Sequence, residues 1–543
     1  MLLASTGICG PPLFAAELDD LYSPLLKSKT FLYEGAFDYF TLKEDGRHGG
    51  ATYDKFYSTP SFYSFTNSLR CLILPFVDVT LCFKEYPGAS YKRTTYNPAG
   101  TINSVQKYTL ESMQDYTLSV RMRKDPAEFY LDMTERREKS SWNWHINPGD
   151  PPNYFSYIEV EYRDIVCGLR YLSDGGSAHD TSSLSTVTRP LMEGRQLSVE
   201  SEWEYRNGAL KRNSPYYGYG IYYNYYQKLK QHLASRVTVR YGVTDAAEVT
   251  SGISYTFPLE YEYDYITYYA SNSTSLVTSG TYVLDNNFSL PIAVRLRPAG
   301  NCEALLSSDL HFVHQSLDAV RKNRNNTQSL YSPRSLDYFN IEPAAKISCF
   351  YDAGKDITPD DFTSLTKRLL MSRQCLMEFH YRRDITLLRK NADNGPLNLI
   401  DPYDLFTYPV DYFLAGSEYS TFFVENNSAY AASVKAQNYD LFGVNVVYGL
   451  TDMINVGFGC GYRSGSAFHH LSLPDLQTRV YKIKGYCYLD PSADVRLTKN
   501  SMLSFKMHYV PQYITFMQHS GYPREFKSKT AYMNVSAALK ALF

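Results

Sequence analysis

The chain closes with the stretch AYMNVSAALKALF, residues 531–543, in which side chains of two kinds alternate. Every odd position is apolar, from Ala531 through Val535 to Phe543, whereas the even positions are mostly polar until Leu542. A period of two residues indicates a β-strand whose two faces meet different surroundings. Chain ends are commonly frayed and polar. We therefore expect this segment to be built into a sheet and its apolar face to be covered.

The composition is that of a hydrophilic chain rich in tyrosine. Its 543 residues include 51 Tyr and 29 Phe but only 3 Trp, the net charge is −2 and the mean hydropathy is −0.35. No apolar run reaches the roughly 18 residues of a membrane helix. A membrane β-barrel remains possible because its lipid-facing residues alternate with polar ones. Since the sequence has no long basic stripe, nucleic acid is not expected as a partner.

Strand-like runs separated by turn signals fill most of the chain. Examples are FSYIEVEYRDIVCGLRYL at 155–172 and SMLSFKMHYV at 501–510. Most runs have about 8–12 residues, which suits a tilted membrane-crossing strand better than the five or six residues typical of soluble domains. We count about 16–20 runs and predict an all-β fold, namely a transmembrane antiparallel up-and-down β-barrel.

A few segments lack this strand pattern. Residues 1–16 are apolar and resemble the later part of a secretory signal, so we interpret them as a possible truncated signal segment and 17–543 as one barrel domain. In TPDDFTSLTKRLLMSR, residues 358–373, Thr358 can cap a helix and Pro359 suits its first position, which predicts one short helix in a loop or in the lumen. Three segments rich in Ser, Asn, Gly and charge are expected to be long loops: 174–194, 318–335 and 389–404.

One hairpin sequence occurs twice. VRYGVTDAAEVTSGISY at 239–255 and VVYGLTDMINVGFGCGY at 446–462 share the pattern Y-G-[VL]-T-D-x-x-x-V. In each copy a tight turn joins two alternating strands, with apolar and aromatic side chains on one face and ionic or small polar side chains on the other. This division suits a wall between lipid and water, although the strands of a soluble sandwich alternate in the same way.

Together these features resemble bacterial outer-membrane β-barrel proteins. Phe543 and the alternating apolar residues before it are similar to the signal by which the barrel-assembly machinery recognises its clients. The repeated hairpins look like those of porin-like proteins, including the family linked to phenol meta-pathway degradation operons. The resemblance implies a bacterial outer-membrane location. It also implies membrane lipid, the assembly machinery (through the C-terminal strand) and small solutes as partners, and a possible homo-oligomer.

In hydrocarbon every backbone polar group needs a partner within the protein, so the last strand should pair with a strand near residues 29–42 and close the sheet. The two faces then supply candidate site residues. We predict that seven side chains line a channel and set its charge preference: Arg236, Arg240, Glu248, Asn445, Asn455, Arg463 and Lys540. We predict that six others face lipid or form aromatic girdles: Tyr241, Tyr255, Phe257, Tyr448, Tyr462 and Phe543.

A barrel of this size encloses a lumen wide enough for water. The leading hypothesis is therefore an outer-membrane channel for passive diffusion or uptake of small solutes. Two alternatives stay open: a plugged barrel with a structural, adhesion or assembly role, and a secreted soluble all-β protein that binds glycans. The chain has no G-x-S-x-G, H-E-x-x-H or Walker motif, so we expect no enzyme activity, metal or cofactor. Its nine cysteines form no C-x-x-C pair and are interpreted either as buried free thiols or as a few disulfides.

Overall fold

One antiparallel sheet accounts for almost all of the residues that the computed structural model describes. The described residues are 26, 30–49, 53–58, 61–87, 89–97, 99–145, 154–173, 191–216, 221–257, 259–269, 275–322, 328–330, 334–352, 369–391, 432–473, 477–519 and 525–543. No helix among them is long and apolar enough to cross a lipid bilayer.

The sheet has 18 strands, of which six are briefly interrupted. They are β1 (Phe31–Gly49), β2 (Tyr53–Ser58 and Ser61–Leu74), β3 (Val77–Tyr86 and Ala89–Tyr96), β4 (Ile102–Lys124), β5 (Ala127–His145), β6 (Tyr154–Leu172), β7 (Leu197–Tyr216), β8 (Ile221–Thr244), β9 (Ala247–Thr256 and Leu259–Tyr269), β10 (Ser275–Ala299), β11 (Cys302–Lys322), β12 (Gln328–Leu330 and Arg334–Tyr351), β13 (Cys375–Asn391), β14 (Ala432–Thr451), β15 (Ile454–Arg463 and Ser466–Leu473), β16 (Gln477–Ile483 and Tyr486–Thr498), β17 (Ser501–His519) and β18 (Glu525–Leu542).

The first and last strands pair with each other and close the barrel. Residues 32–49 of β1 are antiparallel to residues 525–542 of β18. Phe31 and Phe543 exchange two backbone hydrogen bonds of 3.0 and 2.9 Å at the end of this pair. Closure leaves no open edge, which a sheet surrounded by lipid requires. The predicted all-β barrel, its strand number and the pairing of its ends are thus confirmed.

The two ends of the barrel differ in their connections. Six two-residue turns lie at the end that contains Phe543: 75–76, 125–126, 245–246, 300–301, 452–453 and 499–500. Short turns mark the periplasmic end of outer-membrane barrels, and long loops mark the extracellular end. Strand β10 runs for 25 residues and β13 for 17, which exceeds the predicted run length. The strands are thus longer than a tilted crossing of the hydrocarbon requires.

The predicted helix at 358–373 is wrong in its described part. Residues 369–374 form neither a helix nor a strand; they have a turn at Ser372 and Arg373 and lead directly into β13. The backbone N–H groups of this segment bind a neighbouring hairpin instead of closing a helical turn. The remainder of 358–373, most of the 174–194 segment and the possible signal segment 1–16 lie outside the described residues. The loop expected at 318–335 is shorter, because β11 continues to Lys322 and β12 starts at Gln328.

The cysteines carry no disulfide in the described part of the chain. Eight of them are described, and all eight are free thiols. Cys460 and Cys487 are exposed rather than buried. Of the two interpretations offered by the sequence, free thiols are therefore the observed state, but none of the eight is fully buried, since six are half-buried and two are exposed.

Candidate functional site

The outer wall of the barrel is apolar and exposed. On β8, Val237, Val239 and Tyr241 point away from the barrel and are about 40% exposed, at 38%, 38% and 42%. Phe458 on β15 and Ile292 on β10 are 54% exposed on the same outer surface. A continuous apolar surface of this kind is stable only against lipid or a partner. The outer wall is therefore a lipid-facing surface.

Aromatic side chains occupy two levels of this outer wall. Tyr241 and Tyr448 lie close to the two-residue turns. Tyr241 pairs with Val249 of β9. Phe257 lies eight residues further from the turn, where β9 is briefly interrupted. At about 3.3 Å per residue and a strand tilt of about 40°, this separates the two levels by roughly 20 Å along the barrel axis. The separation is close to the height of an apolar band flanked by aromatic girdles.

The level farther from the two-residue turns is formed by an aromatic cluster. The ring centroids of Tyr255 and Phe257 are 5.3 Å apart in an edge-on arrangement, and those of Trp203 and Phe257 are 6.4 Å apart and stacked. Tyr462 is 44% exposed on the outer face of β15, and Phe543 is 72% exposed at the opposite end. All six predicted lipid-facing residues thus lie on the outer wall, and their role as girdles remains a prediction.

Charged side chains that pair with one another cover the inner wall. The guanidinium of Arg170 binds Glu128 at 3.1 Å and Glu200 at 2.9 Å, and the hydroxyl of Tyr130 donates to Glu200 at 2.8 Å. These four residues come from β5, β6 and β7, so one network ties three strands together. Ion pairs shielded from bulk water are held well only when their remaining polar atoms also find partners, which this network supplies.

Similar networks continue around the inner wall. Glu303 on β11 binds both Arg295 and Arg297 of β10, at 2.7 and 2.8 Å. Glu378 on β13 accepts from Lys346 at 2.5 Å and from Asn445 at 3.1 Å. The inner wall therefore presents both signs of charge in alternation instead of a field of one sign.

Two connections at the turn end fold back against the inner wall. We call residues 191–196 the middle strap and residues 369–374 the C-terminal strap. Leu191 and Met192 of the first, and Leu369 and Leu370 of the second, are buried. The buried pairs explain why these connections are held in place even though they belong to no strand.

A glycine in each repeated hairpin makes room for a strap. Arg195 N–H donates to Gly242 C=O at 2.7 Å, and Gly242 N–H donates to Gln196 C=O at 2.9 Å. Arg373 binds Gly449 in the same way, at 2.8 Å. A Cβ atom on either glycine would collide with a carbonyl oxygen of the strap. The glycine of the Y-G-[VL]-T-D repeat is therefore needed for the close approach of two backbones.

The aspartate of the same repeat fixes the turn of each strap. Asp245 Oδ1 accepts from Gly194 N–H at 2.8 Å, and Asp452 Oδ1 accepts from Ser372 N–H at 2.8 Å. Both straps turn through an arginine in the left-handed region, with φ of 69° at Arg195 and at Arg373. The identical bonds and identical backbone show that the two copies share a strap as well as a hairpin.

A third interaction holds each strap. An inward-facing polar side chain at the start of the second strand of the repeated hairpin binds the strap backbone. Glu248 Oε2 on β9 accepts from Met192 N–H at 3.0 Å. Asn455 on β15 accepts from Leu370 N–H at 2.8 Å and donates to Leu370 C=O at 2.9 Å, in the amide orientation that satisfies both groups. These two residues were predicted to line a channel, but the straps cover them, and each is only 1% exposed.

The other predicted channel residues also lie on the inner face, with differing access to the lumen. Arg240 and Arg463 are 3% and 2% exposed, and the guanidinium of Arg463 lies 3.8 Å from the ring centre of Tyr439. The side chain of Arg236 is 37% exposed, and that of Lys540 is 31% exposed. Asn445 is partly buried against Glu378, as described above. Only a minority of the seven thus offer charge to an aqueous lumen.

Sequence analysis missed the straps although they carry a signal. LMEGRQ at 191–196 and LLMSRQ at 369–374 are similar, and each precedes one copy of the repeated hairpin. Because a strap sequence precedes each hairpin, the repeated unit is longer than the hairpin alone, and this could have been recognised from the sequence. Among the described residues, no group of three or more His, Cys, Asp or Glu could hold a metal ion.

A closed ring of 18 strands with an apolar exterior and a charged interior defines a membrane-spanning β-barrel of the outer-membrane type. The exposed apolar exterior is incompatible with the alternative of a secreted soluble glycan-binding protein.

Solved structures of the same general type are only distantly similar. The alcaligin outer-membrane receptor FauA from Bordetella pertussis has 10% sequence identity and a TM-score of 0.39, with 96% of this chain and 76% of that chain covered. The ferric yersiniabactin uptake receptor FyuA from Yersinia pestis has 10% identity and a TM-score of 0.34, over 93% and 80% of the chains. The toluene transporter TodX from P. putida has 8% identity and a TM-score of 0.27, over 95% and 91%. No protein-family model and no curated protein sequence matches this chain.

Proposed function

We propose that the protein is a channel for passive movement of small hydrophilic solutes across the outer membrane. The observation that carries the proposal is the charged, ion-paired inner wall of a closed barrel. The side chains of Arg236, Lys346 and Lys540 are 37%, 41% and 31% exposed on the inner wall. They would be costly in a dry interior, whereas a water-filled lumen keeps them solvated.

The pairing of these charges suggests the class of solute. Glu303 is shared by Arg295 and Arg297, and Arg170 is shared by Glu128 and Glu200, so positive and negative groups alternate around the wall. A pore with one dominant sign would favour ions of the opposite sign. The mixed wall instead favours uncharged polar or weakly charged small molecules.

Planar-bilayer recording of the purified protein tests the proposal. We expect ohmic single-channel steps with weak ion selectivity. Arg236→Glu should move the reversal potential toward cation preference, because this partly exposed arginine lies 3.8 Å from Glu202 on the inner wall and its reversal adds negative charge there. Arg240 is unsuitable for this test since its side chain is buried.

A matched charge reversal on the other face serves as the control. Arg137→Glu makes the same change at an exposed position on the outer face of β5, and it should leave the reversal potential unchanged. An equal shift in both variants would show that the inner wall does not set selectivity. Electrically silent wild-type protein in folded form would reject the channel and favour the plugged barrel with a structural or assembly role.

A further inference from the structure

We infer that the barrel consists of three consecutive six-strand units, β1–β6, β7–β12 and β13–β18, and that a strap at the start of each unit narrows the lumen at the turn end. The inference rests on the channel function proposed above, because it names the residues that limit that channel. Beyond the middle and C-terminal straps, it assigns Leu26, which precedes β1, to a third strap.

The order of connections at the turn end repeats every six strands. The three places where this end is not a two-residue turn precede β1, β7 and β13. Within each unit the chain then makes two two-residue turns, at 75–76 and 125–126 in the first unit. The remaining turns follow the same order at 245–246, 300–301, 452–453 and 499–500.

Leu26 is bound as the other two straps are bound. Its N–H lies 3.3 Å from both carboxylate oxygens of Asp78. Asp78 is the second residue of β3, the position that Glu248 holds in β9 and Asn455 holds in β15. In all three units, therefore, an inward-facing acceptor at the start of the third strand binds a backbone N–H of the segment that precedes the first strand.

The sequences of the three segments align without gaps. PLLKSK at 24–29, PLMEGR at 190–195 and RLLMSR at 368–373 each carry two adjacent large apolar residues followed, three positions after the second, by a basic residue. In this alignment Leu26 corresponds to Met192 and Leu370, the residues whose N–H groups are bound by the inner wall. Sequence and hydrogen bonding thus give the same correspondence.

The straps also reach one another inside the barrel. Leu26 and Leu369 belong to one buried cluster with Met502 and Leu542. Leu369 precedes β13, whereas Met502 and Leu542 lie on β17 and β18. The C-terminal strap therefore extends across the base of its own unit as far as the cluster that it shares with Leu26. Contact between straps over the inner wall is an arrangement that reduces the open cross-section of the lumen.

A conductance measurement can distinguish the effect of the straps from that of the barrel wall. It uses two aspartates placed in the apolar cluster that the straps share. We expect Leu26→Asp combined with Leu369→Asp to raise single-channel conductance by about twofold or more, because carboxyl groups without partners are costly to bury in an apolar cluster and the straps should part. The control is Ile347→Asp combined with Leu306→Asp, two exposed outer-wall positions, which should leave the conductance of correctly folded channels unchanged.

A crosslink tests the arrangement even where the charged variant fails to fold. In a chain whose nine native cysteines are serine, Leu26→Cys and Leu369→Cys should form a disulfide when diamide oxidises both thiols and is itself reduced to the hydrazine. Mass spectrometry of the joined peptides identifies the bond. The pair Leu26→Cys and Ile347→Cys should form none, since Ile347 is on the outer wall.

The outcomes distinguish this inference from the proposed function. Absence of the 26–369 crosslink would overturn the strap arrangement. A crosslink together with unchanged conductance in the charged variant would show that the straps touch without limiting the pore, which also overturns the inference. If the wild-type protein is silent while the crosslink forms and the charged variant conducts, the straps close the lumen fully and the open-channel proposal fails instead.

Discussion

The hairpin of the first unit and the repeated hairpins of the other two units hold their straps differently. At the position where the repeats have Gly242 and Gly449, the first hairpin has Leu72, which is likewise in register with the inward acceptor two residues into the next strand. Leu72 packs against the cluster that contains Leu26. In the repeats, a strap carbonyl takes the same volume.

The turn of the first hairpin also differs from the turns of the two repeated hairpins. Asp245 and Asp452 accept a strap N–H, whereas the corresponding turn residue of the first hairpin is Pro75. What all three hairpins retain is the acceptor on the inner wall. The comparison teaches that this acceptor is the common requirement, and that the glycine and aspartate serve straps which turn sharply against the hairpin.

The largest effect is expected when a repeat is given the residue of the first hairpin. Gly449→Leu should displace the C-terminal strap, since even a Cβ collides with the carbonyl oxygen of Met371. We expect a loss of about 3 kcal/mol in the free energy of unfolding, at the upper end for overpacking, measured by urea titration in phospholipid vesicles. Tyr448→Leu, a neighbouring outer-wall change, is the control. Equal stability of the two variants would contradict the close-approach role of the glycine.

An intermediate effect is expected at the turn. Asp452→Ala removes the acceptor of the 2.8 Å bond from Ser372 N–H and should cost about 1–2 kcal/mol, as loss of a charged hydrogen-bond partner does. Asp452→Asn keeps an oxygen acceptor and should cost less. The same urea titration measures both. If the alanine and asparagine variants had the same free energy of unfolding, this hydrogen bond would not contribute to holding the strap.

The smallest effect is expected from relief of backbone strain. Arg373→Gly puts glycine at a φ of 69°, where an L-residue costs roughly 1–2 kcal/mol, but it also adds freedom to the unfolded chain. The net change should be stabilising by less than about 1 kcal/mol. Arg383→Gly, within the extended strand β13, should instead destabilise. Destabilisation at both positions would show that the Arg373 side chain itself holds the strap.

The closed barrel could be predicted from the sequence because the alternation of apolar and polar residues is visible within each strand, and it arises from the lipid and the lumen on the two sides of the barrel wall. The apolar face of residues 531–543 predicted a strand that pairs with the start of the barrel, and residues 32–49 provide that partner. The assignment of inner and outer faces on β8 and β14 followed from the same alternation. Closure itself needed only the physical rule that lipid tolerates no unpaired edge.

The straps were out of reach for the opposite reason. Residues 369–374 have no periodicity of their own, and the apparent cap at Thr358 and Pro359 favoured a helix through them. Their conformation is decided by Gly449 and Asp452, about 80 residues away in the sequence, as the 2.8 Å bond from Ser372 to Asp452 shows. For the same reason, Glu248 and Asn455 could be placed on the inner face, while their coverage by straps could not be foreseen.

The length of the strands has a consequence for how the protein meets its surroundings. Strand β10 has 25 residues, whereas a tilted crossing of the hydrocarbon takes only about 9–11. More than half of such a strand therefore exceeds the length that a crossing requires and extends toward the end of the barrel opposite Phe543. In the channel proposed above, a solute would therefore enter the barrel before it reaches the plane of the lipid headgroups.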